Sequence, residues 1–153
     1  MTYEAELAAF AAAAHDDLGR LLVEAARAVT DDALARIDPD GASGVRAAHV
    51  PVIAALDAGG SRVADLAPRI GHTRQAVAAL VRDLEAAGIV AVRPDPADRR
   101  ASLVALTEAG AAFCARATEV MRGRELEWRE AWGDQPVDAL RAGLARLAGT
   151  PRP

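Results

Sequence analysis

"VADLAPRIGHTRQAVAALVRDLEAAGIVAVRPDPADRRASLVALTEAG", residues 63–110, changes its hydrophobic period twice. Residues 63–70 put Leu66, Ala67 and Ile70 on one helical face and stop at Gly71. Thr73 stands where it can cap a new helix, whose apolar positions Val77, Leu80, Val81, Leu84 and Ala87 follow helical spacing until Gly88. Two short helices joined by a tight glycine turn predict a helix-turn-helix. The period then drops to two. IVAVR (89–93) and SLVAL (102–106) are strand-like runs, and the turn-rich PDPADRRA (94–101) between them predicts a hairpin that carries Arg99 and Arg100 at its tip.

Upstream, apolar residues recur at helical spacing from Glu4 to about Arg36 (Leu7, Phe10, Ala14, Leu18, Leu21, Leu22, Ala25, Val29). This predicts one long helix, with any break near Thr30. The turn cluster DPDGASG (38–44) ends it, and a second helix is expected through Ile53 and Leu56 to Gly59 and Gly60. Pro51 requires that helix to start late or to kink. Downstream, Thr107 is positioned to cap a long helix through Phe113, Ala117, Val120 and Met121 to about Trp132. After GDQP turns the chain, Val137, Leu140, Leu144 and Leu147 mark a last helix. The fold class is therefore mostly α with a small β-hairpin wing. Residues 1–153 form a single domain in three parts: an N-terminal dimerisation helix and turn (1–44), the winged helix-turn-helix (45–106) and C-terminal dimerisation helices (107–153). Long apolar helices at both ends of so small a domain must bury their stripes, and a two-fold homodimer does so economically.

The composition, 52% hydrophobic and 26% charged, is that of an ordinary globular protein. One cysteine, Cys114, excludes an internal disulfide and suits a reducing, cytoplasmic setting. The apolar start AELAAFAAAAHDDLG has Glu4 and Glu6 in place of a basic leader and reads as a helix, not a signal or an anchor. The net charge of −4 is unevenly distributed. Residues 1–60 hold four Arg against ten acids, residues 61–106 seven Arg against five, and residues 107–153 seven of each. Only the middle third is basic. Every cationic side chain is Arg, whose fork suits phosphates and guanine edges.

The stretch from Val63 to Gly110 resembles the core of the MarR family of bacterial winged helix-turn-helix transcriptional regulators. Its most specific part is Asp98-Arg99-Arg100 followed by LVALTEAG, which is similar to that family's Asp-x-Arg wing signature and the Leu-Thr-x-x-Gly that opens the next helix. The resemblance implies a homodimeric, sequence-specific binder of double-stranded DNA. It implies a repressor acting by occupancy at a pseudo-palindromic operator, released by a small aromatic effector. Thr73, Arg74 and Gln75 then sit at the recognition helix's first turn, where Arg can read guanine and Gln adenine, while Arg82 touches a phosphate. On the wing, Arg99 takes the tip and Arg100 is braced by Asp98, both arginines facing the minor groove. Ala78 and Ala79 stand where relatives often carry polar residues, which shifts specificity toward thymine methyls and DNA shape.

An enzyme is disfavoured. His15, His49 and His72 lie far apart without metal-ligand spacing, and the chain contains no phosphate-binding glycine loop or nucleophile motif. No cofactor is expected. Cys114 beside Phe113 reads as a packed thiol, and Trp128 with Trp132 as dimer core. His15 and His49 are the titratable residues closest to where relatives hold effectors between the dimer helices and the DNA-binding lobe. The alternative is a winged-helix dimer that binds no DNA and serves as a protein-interaction or small-molecule-binding module, which the acidic net charge and the Ala78-Ala79 pair favour.

Overall fold

The computed structural model describes residues 2–13 and 17–149, with the side chains of Ala13 and Arg99 excepted. The amino-terminal region is two helices, not one: α1 spans Tyr3–Ala13 and α2 Leu18–Ile37. The second starts at Asp17, whose carboxylate accepts the N–H of Gly19 at 3.3 Å and of Arg20 at 3.1 Å. Periodicity ran on through this point because a cap ends a helix by satisfying its orphan N–H groups, leaving the apolar spacing intact. The expected break near Thr30 is absent, and the Thr30 hydroxyl donates to the Ala26 carbonyl inside an unbroken α2.

Asp38 gathers the following loop, accepting from the N–H groups of Ala42 and Ser43 and from the Ser43 hydroxyl. A 3-10 turn over Ala47–His49 leads into the short α3, Val50–Ala54. Pro51 lies in the first turn of α3, where its missing N–H has no helical partner to lose. The helix therefore starts late and ends before Leu56.

The helix-turn-helix is α4, Val63–Arg69, and α5, Arg74–Ala86. Gly71, at φ +68°, turns the chain between them in a conformation that side-chain-bearing residues avoid. Leu66, Val77, Val81 and Leu84 from these helices are buried with Val52, Ile89, Val90 and Val104. The hairpin is longer and tighter than expected: β1 runs Val90–Asp95 and β2 Asp98–Leu106, so the turn is Pro96-Ala97 rather than eight residues. Pairing is antiparallel from Val90–Leu106 to Pro94–Ser102, then jumps to Asp95–Asp98. Residues 99–101 thus stand opposite no residue of β1, in a bulge of β2. Ser61 adds a short third edge, exchanging both backbone hydrogen bonds with Val104 at 2.9 Å.

Thr107 then opens α6, Glu108–Trp132. Its hydroxyl accepts from the N–H of Gly110 at 3.0 Å and donates to the carbonyl of Gly88 at 2.6 Å. At Gly110 the chain passes so close to β1 that a Cβ would lie 2.0 Å from the Ile89 carbonyl oxygen. The chain divides into two compact units within α6, residues 1–113 and 114–153. In the second unit α6 continues to Trp132 and α7 spans Asp134–Leu147, so Asp134 and Pro136 of the expected turn belong to the last helix. Arg129 joins the two helices, donating to Glu125, Asp134 and Asp138. Arg141 also pairs with Glu125.

Candidate nucleic-acid interface

The arginines of residues 45–106 fall into two groups by what their guanidinium groups touch. Arg46 pairs with Asp83 at 2.7 Å, and Arg69 pairs with Asp57 at 2.8 Å and donates to the Ala55 carbonyl. Arg62 pairs with Asp95, and Arg93 donates to the Gly59 carbonyl at 2.9 Å. These four are occupied within the fold. Arg74, Arg82 and Arg100 are exposed, and their guanidinium groups have no hydrogen-bond or ion-pair partner among the described residues. A free guanidinium presents its full donor fork to a phosphate or a base edge, whereas a paired one must first give up its carboxylate.

Arg74 and Gln75 begin α5 at its exposed end. Thr73 caps that helix, its hydroxyl oxygen accepting from the N–H of Ala76 at 3.2 Å. The hydroxyl proton remains available to an external acceptor. The unpaired N–H groups and the positive end of the helix dipole favour an anion at this terminus. Arg82 stands two turns further on, and Ala79 is exposed while Ala78 is half-buried.

On the wing, the Asp98 carboxylate accepts the backbone N–H of Arg100 at 3.0 Å. Asp98 therefore holds the bulge by its main chain and leaves the Arg100 guanidinium free. Asp95 does the same two residues before Ala97, whose N–H it accepts at 2.8 Å. That bond and the Arg62 guanidinium hold the Asp95 carboxyl below its ordinary value of 3.8. Arg69 and the Ser61 hydroxyl likewise lower Asp57. The side chain of Arg99 lies outside the described residues, although its backbone is part of β2.

His49 is buried, at 1% exposure, with its Nδ1 accepting the N–H of Arg46 at 3.0 Å. The proton is thereby placed on Nε2, which lies 3.6 Å from the Asp83 carboxylate of α5. His15 lies outside the described residues. In the second unit, burial raises the pKa of the Cys114 thiol, and Trp128 and Trp132 stack at 5.9 Å with Arg124 over the Trp128 ring. Beside them Met121, Trp128, Val137, Leu140 and Leu144 line a groove of about 520 Å³.

Sequence reasoning missed the Arg62–Asp95 pair, the Arg46–His49–Asp83 cluster and the contact at Gly110. Both aspartates of PDPAD do show a local signal, since Asp characteristically captures the N–H two residues on. Nothing local points to Arg62, thirty-three positions away from Asp95.

No curated protein matches the chain significantly. A transcriptional repressor, CouR, solved bound to a 23-mer DNA duplex, is similar to this chain at 31% identity and a TM-score of 0.70, over 88% of this chain and 94% of that one. CouR from Rhodococcus jostii RHA1 bound to p-coumaroyl-CoA is similar at 27% identity and a TM-score of 0.62, again over 88% and 94%. A MarR transcriptional regulator from Methanosarcina mazei Go1 shares the fold at 18% identity and a TM-score of 0.71, over 86% of this chain and 94% of that one. The sequence model of the MarR family matches residues 43–101, the segment that holds the helix-turn-helix and most of the wing. With the fold, the Asp98-Arg99-Arg100 bulge and the Thr107–Gly110 junction in place, the chain belongs to the MarR family of winged helix-turn-helix transcriptional regulators.

Proposed function

We propose that the protein is a cytoplasmic homodimeric repressor that binds a pseudo-palindromic operator, with half-sites about one helical turn apart. The first turn of α5 enters the major groove, where Arg74 and Gln75 read base edges and Thr73 and Arg82 meet phosphates. Arg99 and Arg100 take the adjacent minor groove from the wing. The observation that carries this function is the division of the arginines. Arg74 at the start of α5, Arg82 along its outer side and Arg100 on the bulge have no partner among the described residues, while their neighbours are tied into the fold. CouR, caught on DNA at 31% identity, supports the same assignment.

The dimer is supported by Tyr3, Leu7, Phe10 and Leu18 of the first two helices, and by Leu126, Trp132, Leu140 and Leu147 of the last two, all exposed. A second copy covers such surfaces without a foreign partner. Release by a small aromatic effector is supported by CouR with p-coumaroyl-CoA. The buried, hydrogen-bonded ring of His49 makes it a packing residue of the DNA-binding lobe before it is an effector contact.

The test is a fluorescence-anisotropy titration against the duplex upstream of the protein's own coding region and against a scrambled duplex, with salt varied. Nanomolar, sequence-dependent binding that weakens by about a thousandfold or more between 50 and 200 mM salt is expected for six or more phosphate contacts. Equal, weak binding to both duplexes would favour a dimer that binds no DNA.

A further inference from the structure

One ion pair in the DNA-binding lobe belongs to neither the core nor the free arginines. Asp95 ends β1 at the tip of the wing, and the residue is only 7% exposed. Its two oxygens serve different partners. Oδ1 accepts the N–H of Ala97 at 2.8 Å and shapes the Pro96-Ala97 turn. Oδ2 accepts from Arg62 Nε at 2.8 Å and also from Arg62 Nη2.

Arg62 is the residue from which α4 starts, yet its side chain caps nothing there. It reaches instead to the wing tip. Its neighbour Ser61 is bonded through the backbone to Val104, which faces Val92 across the hairpin. Asp95 lies three residues beyond Val92, or about 10 Å further along the strand. The 61–62 segment therefore holds the wing at two separated points, a backbone bridge near its base and an ion pair at its tip. The other ties of β1 and β2 to the helices and their loops, Ser61 on Val104, Arg93 on the Gly59 carbonyl and the Val92 N–H on Glu85, reach no further than Arg93, so without the ion pair the tip beyond it would be free to pivot. A two-stranded hairpin is marginal in water by itself, so an unpinned tip would have to be ordered on the DNA at the expense of affinity. With the Arg62 side chain 39% exposed, solvent screens the pair and its net stabilisation is small, which leaves geometry as its main contribution here.

We propose that Arg62 and Asp95 are positioning residues for DNA binding, pinning the wing tip to the start of the helix-turn-helix so that Arg100 and Arg74 are held at a set separation before DNA arrives. The proposal rests on the DNA-binding function above. It assigns a role to two side chains that need not touch DNA.

The experiment uses Asp95→Asn, which keeps the acceptor for Ala97 and removes the charge that holds Arg62. The probe is a 30-bp duplex enriched from a random pool by the wild-type protein. Affinity is expected to fall about tenfold as the preorganisation is lost. Amide exchange in the free variant should quicken over residues 92–104 and stay unchanged in α5. Adding Arg100→Ala should then weaken binding by less than about twofold more than Arg100→Ala does alone, while adding Arg74→Ala should multiply the losses. Arg62→Lys, which keeps the charge and loses the fork, should shift affinity and wing exchange in the same direction by less, and it serves if Asp95→Asn fails to fold.

Unchanged affinity or unchanged wing exchange overturns the proposal, as does independence from Arg100. Tighter binding also overturns it, because it would show the released Arg62 seizing a phosphate. If the wild-type protein enriches no duplex, the DNA-binding function fails and the proposal with it. If the wild type enriches one and the variants match it, only the pinning fails.

Discussion

Gly110 shows how one residue can join two elements. A methyl group there would sit 2.0 Å from the Ile89 carbonyl oxygen, a main-chain atom that cannot swing aside. Thr107, three residues earlier, fastens the same junction through Gly88 and Gly110. Gly110→Ala is therefore expected to destabilise the fold by about 3 kcal/mol, read as a lower midpoint in urea denaturation at unchanged m-value. A change below about 0.5 kcal/mol would show that the junction has slack. The Leu-Thr-x-x-Gly pattern was legible as a family signature. Its cause was not, because Gly110 and Ile89 meet only after the hairpin has folded back.

The wing is the element whose boundaries moved most. Strand propensity was visible in IVAVR and SLVAL, while the residues between them looked like turn because prolines and aspartates dominate them. Six of those eight residues, Pro94, Asp95 and residues 98–101, pair or bulge within the strands instead. Asp98 fixes the bulge by its hold on the Arg100 N–H. Replacing both Arg99 and Arg100 with Ala is expected to weaken operator binding by about tenfold or more and to flatten the salt dependence by about two phosphates per wing. Its melting temperature should stay within about 1–2 °C of the wild type, since the Arg100 guanidinium supports nothing in the fold. A large fall in melting temperature would mark the bulge as structural.

At the scale of the whole molecule, the proposed dimer rests on the exposed apolar side chains of the first two and last two helices. Leu140→Glu with Leu144→Glu, on the groove side of α7, is expected to shift the protein from dimer to monomer in light scattering and to lower operator affinity by at least a hundredfold, since two half-sites are no longer bound as one. A dimer of unchanged mass would place the interface elsewhere. Helical period, glycine stops, the N-cap at Thr73 and the basic middle third are properties of neighbouring residues along the chain, and these sufficed for the helix-turn-helix, the wing and the two last helices, though not for the division of the amino-terminal helix. The break at Asp17 is a local cap that leaves the apolar period unmarked, whereas the docking of the wing on Ser61, the buried ring of His49 beside Asp83 and the choice of which arginines are tied depend on partners far apart in the chain. Only the folded chain brings those together, because an ion pair or a close backbone approach has no period for a sequence to display.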